Sequence, residues 1–251
     1  MSEATAQPVQ TTAQTTVPAP TKGLGGRALG VFFSPRATYG EIVARPRALG
    51  ALVAVIVIVA AATSAFLMTE VGKNAYIDQA LNSMEGFGVT VTDQMMTRLE
   101  TQAQYAPYIT TAAQVVFVPV GAVVVAALAL AIFNAILGGE GTFKQNFAIV
   151  AHSYFIVALG AVFSMPLFYI NQSMASPTSL AVFFKMIDEA TFLGRLMGSI
   201  DLFRIWWIVS LSIGLGVLYK RRTGPIAWSL LGLYVILVLI IAGVRTALSG
   251  A

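Results

Sequence analysis

Five stretches of the chain are almost unbroken apolar residues: 48–68, 111–137, 147–170, 202–219 and 226–244. Each is close to the roughly 20 residues a helix needs to cross the hydrocarbon core of a bilayer. The pattern therefore predicts an all-α membrane protein with five transmembrane helices. The fourth run is the shortest and contains Arg204, so its outer end is the least defined boundary. Pro119 and Pro166 lie inside the second and third runs and predict local bends there.

Between the runs the pattern changes to a helical periodicity of polar and apolar positions. In the segment 69–110, Ile77, Leu81 and Met84 recur at spacings of four and three. Met96, Leu99 and Ala103 do the same after an EGFG break. Two short amphipathic helices on the outer surface are predicted. The segment 171–199 reads similarly, with Phe183, Phe184 and Ile187 on one face.

Ahead of the first run, residues 1–22 are mostly Thr, Gln, Ala and Pro with a single acid, Glu3, and are expected to stay disordered. They lack the basic start and apolar stretch of a signal peptide. Residues 23–47 are different. Ser34 followed by Pro35 reads as a helix start, with the hydroxyl as N-cap and the proline in the first turn. Tyr39, Ile42 and Val43 share a face, and Arg45 before Pro46 marks the stop. This predicts a short interfacial helix leading into a five-span domain over 48–251.

Composition supports a lipid solvent. The chain is 57% hydrophobic and only 10% charged, whereas a soluble domain carries about a quarter charged residues. No cysteine is present, which excludes disulfides and thiol chemistry. No long Lys/Arg block exists to hold nucleic acid. Charge also orients the chain. Lys22, Arg27, Arg36, Arg45 and Arg47 precede the first run, against Glu41 alone. Lys220, Arg221 and Arg222 join runs four and five with no acid. The 69–110 segment holds Glu70, Asp78, Glu85, Asp93 and Glu100 against Lys73 and Arg98. Basic segments stay in the cytoplasm, so the N-terminus is expected inside and the C-terminus outside. Arg245 alone disagrees, at a helix end where its side chain can reach the interface.

Candidate chemistry concentrates in GGEGTFKQNFAIVAHSY, residues 138–154. Gly138, Gly139 and Gly141 permit a tight reversal between spans two and three, and Lys144 would face the headgroups. The spacing is not that of a phosphate loop. His152, the one histidine, and Asn134 lie at similar depths on the two helices and are placed to meet. Such a pair either senses protons or contacts an ion, or fixes helix register as a buried polar contact. Asp201 and Arg204 share a face at the start of span four and read as an interfacial pair that caps the helix. Trp206, Trp207 and Trp228 read as interface anchors. With no HExxH pair, GxSxG elbow or cysteine nucleophile, neither an enzyme nor a metal or other cofactor is expected.

Three of these stretches carry a resemblance. VFFSPRATYGEIVARPRALGALV resembles the entry motif of bacterial Yip-domain proteins, relatives of the Ypt-interacting family, through Phe32, Phe33, Pro35, Tyr39, Ile42 and Pro46. The glycine turn is similar to that family's turn into its third span, through Gly138, Gly139, Gly141, Thr142, Phe143 and Lys144. SIDLFRIWWIVSLSIGLG resembles its fourth-span entry, through Asp201, Phe203 and Trp206. The resemblance covers about 23–247. It implies a five-span helical protein with a cytoplasmic N-terminus, in a bacterial inner membrane. The eukaryotic branch binds prenylated Rab-type GTPases. Its Asp-Leu-Tyr-Gly-Pro type motif is absent here, the nearest element being Asp201-Leu202-Phe203, which puts GTPase binding in doubt. The expected function is a non-enzymatic adaptor or scaffold, in one concrete version an accessory subunit of a membrane transport or envelope complex. Its contacts would be the lipid bilayer and a membrane-protein partner or a second copy. The alternative is a small transporter or channel with a polar site near Asn134 and His152.

Overall fold

The computed structural model describes residues 22–184, 186–187 and 191–249; of the segment expected to be disordered, 1–21 lie outside them. The described residues are helical almost throughout. In chain order the helices are α1 (Leu24–Phe33), α2 (Pro35–Ala44), α3 (Leu49–Leu67), α4 (Glu70–Glu85), α5 (Asp93–Leu130), α6 (Phe143–Asn171), α7 (Phe192–Ser199), α8 (Leu202–Leu218) and α9 (Thr223–Ser249). A π-helical turn, Ala131–Ile136, continues α5 without a break. One antiparallel bridge, Ser179 to Asp201, is the sole β-type pairing among them.

The bundle is organised around α6. Helices α1, α2, α3, α5 and α8 all pack on it, and α9 packs only on α8 and α7 among the principal contacts. The most apolar window of α6 is 61% buried, against 17% for α5 and for α9. Apolar side chains on α5 and α9 thus face outward, as they must where lipid is the solvent. Ala148, Ile149, Ala151 and Ile156 on α6 meet Tyr39, Ile42, Leu52, Val55 and Leu215 in one continuous core.

Among the described residues, four helices are long and apolar enough to cross a membrane: α3, α5 with its π-helical continuation, α6 and α9. Helix α8 is apolar too but has 17 residues. The chain is therefore an integral membrane protein with an all-helical architecture.

Several boundaries differ from the sequence expectation, each for a local reason. The second outer helix is not separate, because one continuous helix runs from Asp93 to Ile136. Nothing in 93–111 supplies a glycine break, and the stripe Leu99, Ala103 and Ala106 is buried. Pro107 and Pro119 are absorbed inside α5, and Pro166 inside α6. Span three starts at Phe143 rather than 147, because Thr142 and Gln145 form a reciprocal capping box. The face expected from Phe183, Phe184 and Ile187 does not form a helix. A short 3-10 turn, Leu180–Phe183, stands there, and the regular helix comes later as α7.

The leader is also richer than predicted. Residues 24–33 form a second helix, and Ser34 separates it from α2. The Ser34 hydroxyl makes no capping bond, contrary to expectation, although Pro35 does open α2 and α2 does end before Pro46. The hairpin is tight: a Cβ on Gly30 would stand 2.2 Å from Thr38 Oγ1. Gly30 is buried at this close approach.

Two ends of the bundle are distinguishable. At one, Arg36 Nη2 donates to Thr223 Oγ1 (3.3 Å) and Arg221 Nη2 to the Leu137 carbonyl (3.1 Å). The leader, the glycine turn and the Lys220–Arg222 turn therefore gather together. At the other, the Arg245 guanidinium stands 5.3 Å over the Phe87 ring, joining the end of α9 to the α4–α5 connection.

Candidate functional site

The glycine turn is locked from both sides. Gly138 takes φ +66°, a left-handed conformation that side chains rarely adopt, and this reverses the chain at the end of the π-helical turn. Its N–H and that of Gly139 close back on the Asn134 and Phe133 carbonyls (3.2 and 2.8 Å). Asn134 then reads the far side of the turn. Its Nδ2 donates to the Gly141 carbonyl (2.7 Å) and its Oδ1 accepts from Gly141 N–H (3.2 Å).

Tyr219, at the end of α8, covers this turn. Its ring stacks on Phe133 at 4.4 Å. A Cβ on Gly139 or Gly141 would come within 2.6 Å of the Tyr219 side chain, so both glycines are required by close approach. Asn146 Nδ2 donates to the Tyr219 hydroxyl (2.9 Å) and to the Thr142 carbonyl (3.0 Å). Gln145 Nε2 reaches the Val43 carbonyl (3.2 Å) and ties α6 to α2. Phe143 stacks on Phe147 (5.8 Å), and Lys144 is exposed.

Asn134 and His152 do not bond across the helical hairpin. Both ends of the Asn134 amide are taken by Gly141, while His152 Nδ1 donates within its own helix to the Ala148 carbonyl (2.8 Å). A carbonyl can only accept, so Nδ1 carries the proton. His152 is 1% exposed, beneath the leader. The meeting of the two side chains, whether to contact an ion or to fix helix register, does not occur, because the turn requires the asparagine.

The leader is seated in the bundle by Tyr39. Its hydroxyl pairs with Ser210 Oγ (2.7 Å), and its ring lies against Gly214 at a point where α6 also contributes Ile149. Trp207 Nε1 donates to Ser153 Oγ (2.9 Å), joining α8 to α6 below. Trp206 is partly exposed and meets Phe32 edge-on at 5.8 Å. Phe33 is 85% exposed, and Pro35 and Pro46 are half-buried at the two ends of α2.

Asp201 caps α8: its Oδ1 accepts from Arg204 N–H (3.1 Å). The expected ion pair with the Arg204 side chain does not form, and that side chain is exposed. The other carboxylate oxygen instead accepts from the Ser176 and Thr178 hydroxyls, tying that segment to the start of α8. Burial opposes ionisation, but these hydroxyls and the backbone N–H groups of Arg204 and Phe203 outweigh it and hold the carboxyl below its ordinary value. A depressed folded-state value adds stability above the ordinary carboxylate range, and that stability is lost as pH falls through the lowered value. Wild type is thus expected to lose melting temperature in acid, below about pH 4, more steeply than Asp201→Asn. Parallel pH–stability curves in detergent would contradict this.

Sequence reasoning missed Tyr219, Asn146, Ser210 and the Ser176/Thr178 pair. Tyr219 did carry a signal, as an aromatic directly before Lys220–Arg222 at the end of an apolar run. The hydroxyls carried none, since their role depends on a loop folding back across about 25 residues.

Taken together, an outward-facing apolar bundle, an inward leader hairpin and a glycine turn sealed by its own side chains define a polytopic helical membrane protein. The family model of the Yip1 domain matches residues 29–244, and the chain belongs to that family. Neither the curated proteins nor the solved structures give a match.

Proposed function

We propose that this chain is a non-enzymatic membrane adaptor or scaffold of the Yip type, with α8 as a fifth span. In this reading the leader and the Lys220–Arg222 turn lie in the cytoplasm and the C-terminus lies outside. The 17 residues of α8 reach about 26 Å at 1.5 Å per residue, close to the hydrocarbon thickness. Helix α8 packs along α6 and α9, both long enough to span. The basic leader and basic turn also touch each other through Arg36 and Thr223, which suits a single compartment. A bacterial inner membrane is the setting this reading favours, and α2 is its interfacial helix.

The observation that carries the scaffold reading is where the buried polar groups point. Asn134, Gln145, Asn146, Tyr39 and Trp207 each hold one segment of the chain to another. Such groups make a rigid platform. The outward surface of the leader, with Phe33 and Leu29 at 85% and 62% exposure, is then the contact face for a partner membrane protein. Pull-down in mild detergent tests it: a reproducible membrane-protein partner is expected with wild type and much less of it with Phe33→Ala. A chain that runs alone, or a partner indifferent to Phe33, removes the proposal.

A further inference from the structure

We propose that the notch between the start of α2 and the α8–α9 turn binds the headgroup of one anionic glycerophospholipid. A cavity of about 470 Å³ opens there, lined by Ser34, Pro35, Arg36, Ala37, Ile213 and Thr223. Its lining carries two chemistries. Arg36 Nη2 is 3.3 Å from Thr223 Oγ1, so a guanidinium and a hydroxyl stand together, both able to donate to phosphate oxygens. The apolar part of the lining is Pro35, Ala37 and Ile213. Ile213 lies five residues before the end of α8, about 8 Å further into the bundle at 1.5 Å per residue.

Charge complementarity selects the occupant. Lys220, Arg221 and Arg222 run directly into Thr223, all three are exposed, and no carboxylate lines the cavity. A zwitterionic lipid would bring its own cation against this cluster. A free anion would leave the apolar wall unused. A phosphodiester with a neutral or anionic headgroup and an acyl chain satisfies both, and the exposed Phe33 beside Ser34 extends the apolar surface along which that chain would run. Juxtamembrane basic clusters attract anionic lipid generally; here a shaped notch holds one molecule. The site does not depend on the adaptor reading and needs only that this end of the bundle meets a headgroup layer.

The test uses the full chain purified in detergent with phosphatidylcholine and phosphatidylglycerol supplied together, and native mass spectrometry to count bound lipid. Wild type is expected to retain one phosphatidylglycerol in preference to phosphatidylcholine. Arg36→Gln should weaken that retention about tenfold, or ~1.4 kcal/mol. Ile213→Trp, which fills the cavity and keeps every charge, should weaken it to a similar degree. Inorganic phosphate should not displace the lipid. Melting curves in phosphatidylcholine confirm that each variant is folded, and Ile213→Phe replaces the tryptophan variant if that one melts early. Equal phosphatidylglycerol retention by wild type and both variants overturns the site. Displacement by inorganic phosphate alone overturns the lipid as its occupant.

Discussion

Gly72→Ala is expected to be among the most damaging single-atom additions to this chain. The corner between α3 and α4 turns so sharply that a Cβ at position 72 would stand 2.0 Å from the Phe66 carbonyl oxygen, 2.6 Å from its carbon and 2.9 Å from the Leu67 Cα. These are backbone atoms, so no side-chain rotation relieves the overlap. The corner cannot open easily either. Thr69 Oγ1 donates to the Phe66 carbonyl (2.7 Å) and accepts from Gly72 N–H (3.0 Å), clamping both sides. Beneath it Phe66, Leu67, Ala75 and Ala106 form a separate buried cluster that fixes α4 against α5. Overpacking a side chain costs about 1–3 kcal/mol, and a backbone overlap of this depth should exceed the upper figure. Out of a total stability of roughly 5–15 kcal/mol, that is a large share. Thermal melting in detergent should show a strongly lowered transition and poor recovery of folded protein. Gly224→Ala is the control, since nothing lies within 4 Å of a Cβ there and a helical glycine-to-alanine change is otherwise neutral or favourable. A Gly72→Ala protein that melts with wild type would show that the corner is looser than described.

That corner also marks the limit of what the sequence reveals. The apolar runs announced the helical class and the approximate spans, because lipid imposes a length and composition that a one-dimensional pattern carries directly. The glycine turn at 138–141 was legible for a similar reason, as three glycines between two apolar runs have few other uses. Gly72 was not, because it sits in a polar helix and its constraint comes from Phe66, which only the folded corner brings near. The same holds for Asn134. Its hydrogen-bonding partner was sought across the hairpin in His152 and found seven residues along in Gly141. Periodicity describes faces of regular helices and carries neither a corner's close approach nor the partner of a side chain in a π-helical turn.

The leader hairpin supplies the second strong expectation, that Tyr39→Ala undocks it while leaving the rest of the bundle helical. Tyr39 is fully buried, as are its neighbours Thr38 and Ile42 on the same short helix. Its ring fills the space left by Gly214, where a Cβ would meet Ile149 Cγ2 at 2.4 Å and the Tyr39 ring at 3.0 Å. Removing the ring opens a hole between α2, α6 and α8 that Gly214 cannot fill, and truncating a buried aromatic costs about 3–5 kcal/mol. The remaining side-chain polar ties from α2 to the bundle are Gln145 to the Val43 carbonyl and the exposed Arg36 to Thr223, while Glu41 pairs with Lys22 of the leader itself. Tyr39→Phe separates ring from hydroxyl: it keeps the packing and loses only the bond to Ser210, about 1 kcal/mol. Limited trypsin digestion reads the difference, because Arg36 is exposed on the first turn of α2 and cleavage after it needs local opening of that helix. The alanine variant should be cut much faster than wild type and the phenylalanine variant only slightly faster. Equal cutting of the two variants would assign the anchoring to the hydroxyl, and wild-type rates for both would show that the hairpin is held by something other than Tyr39.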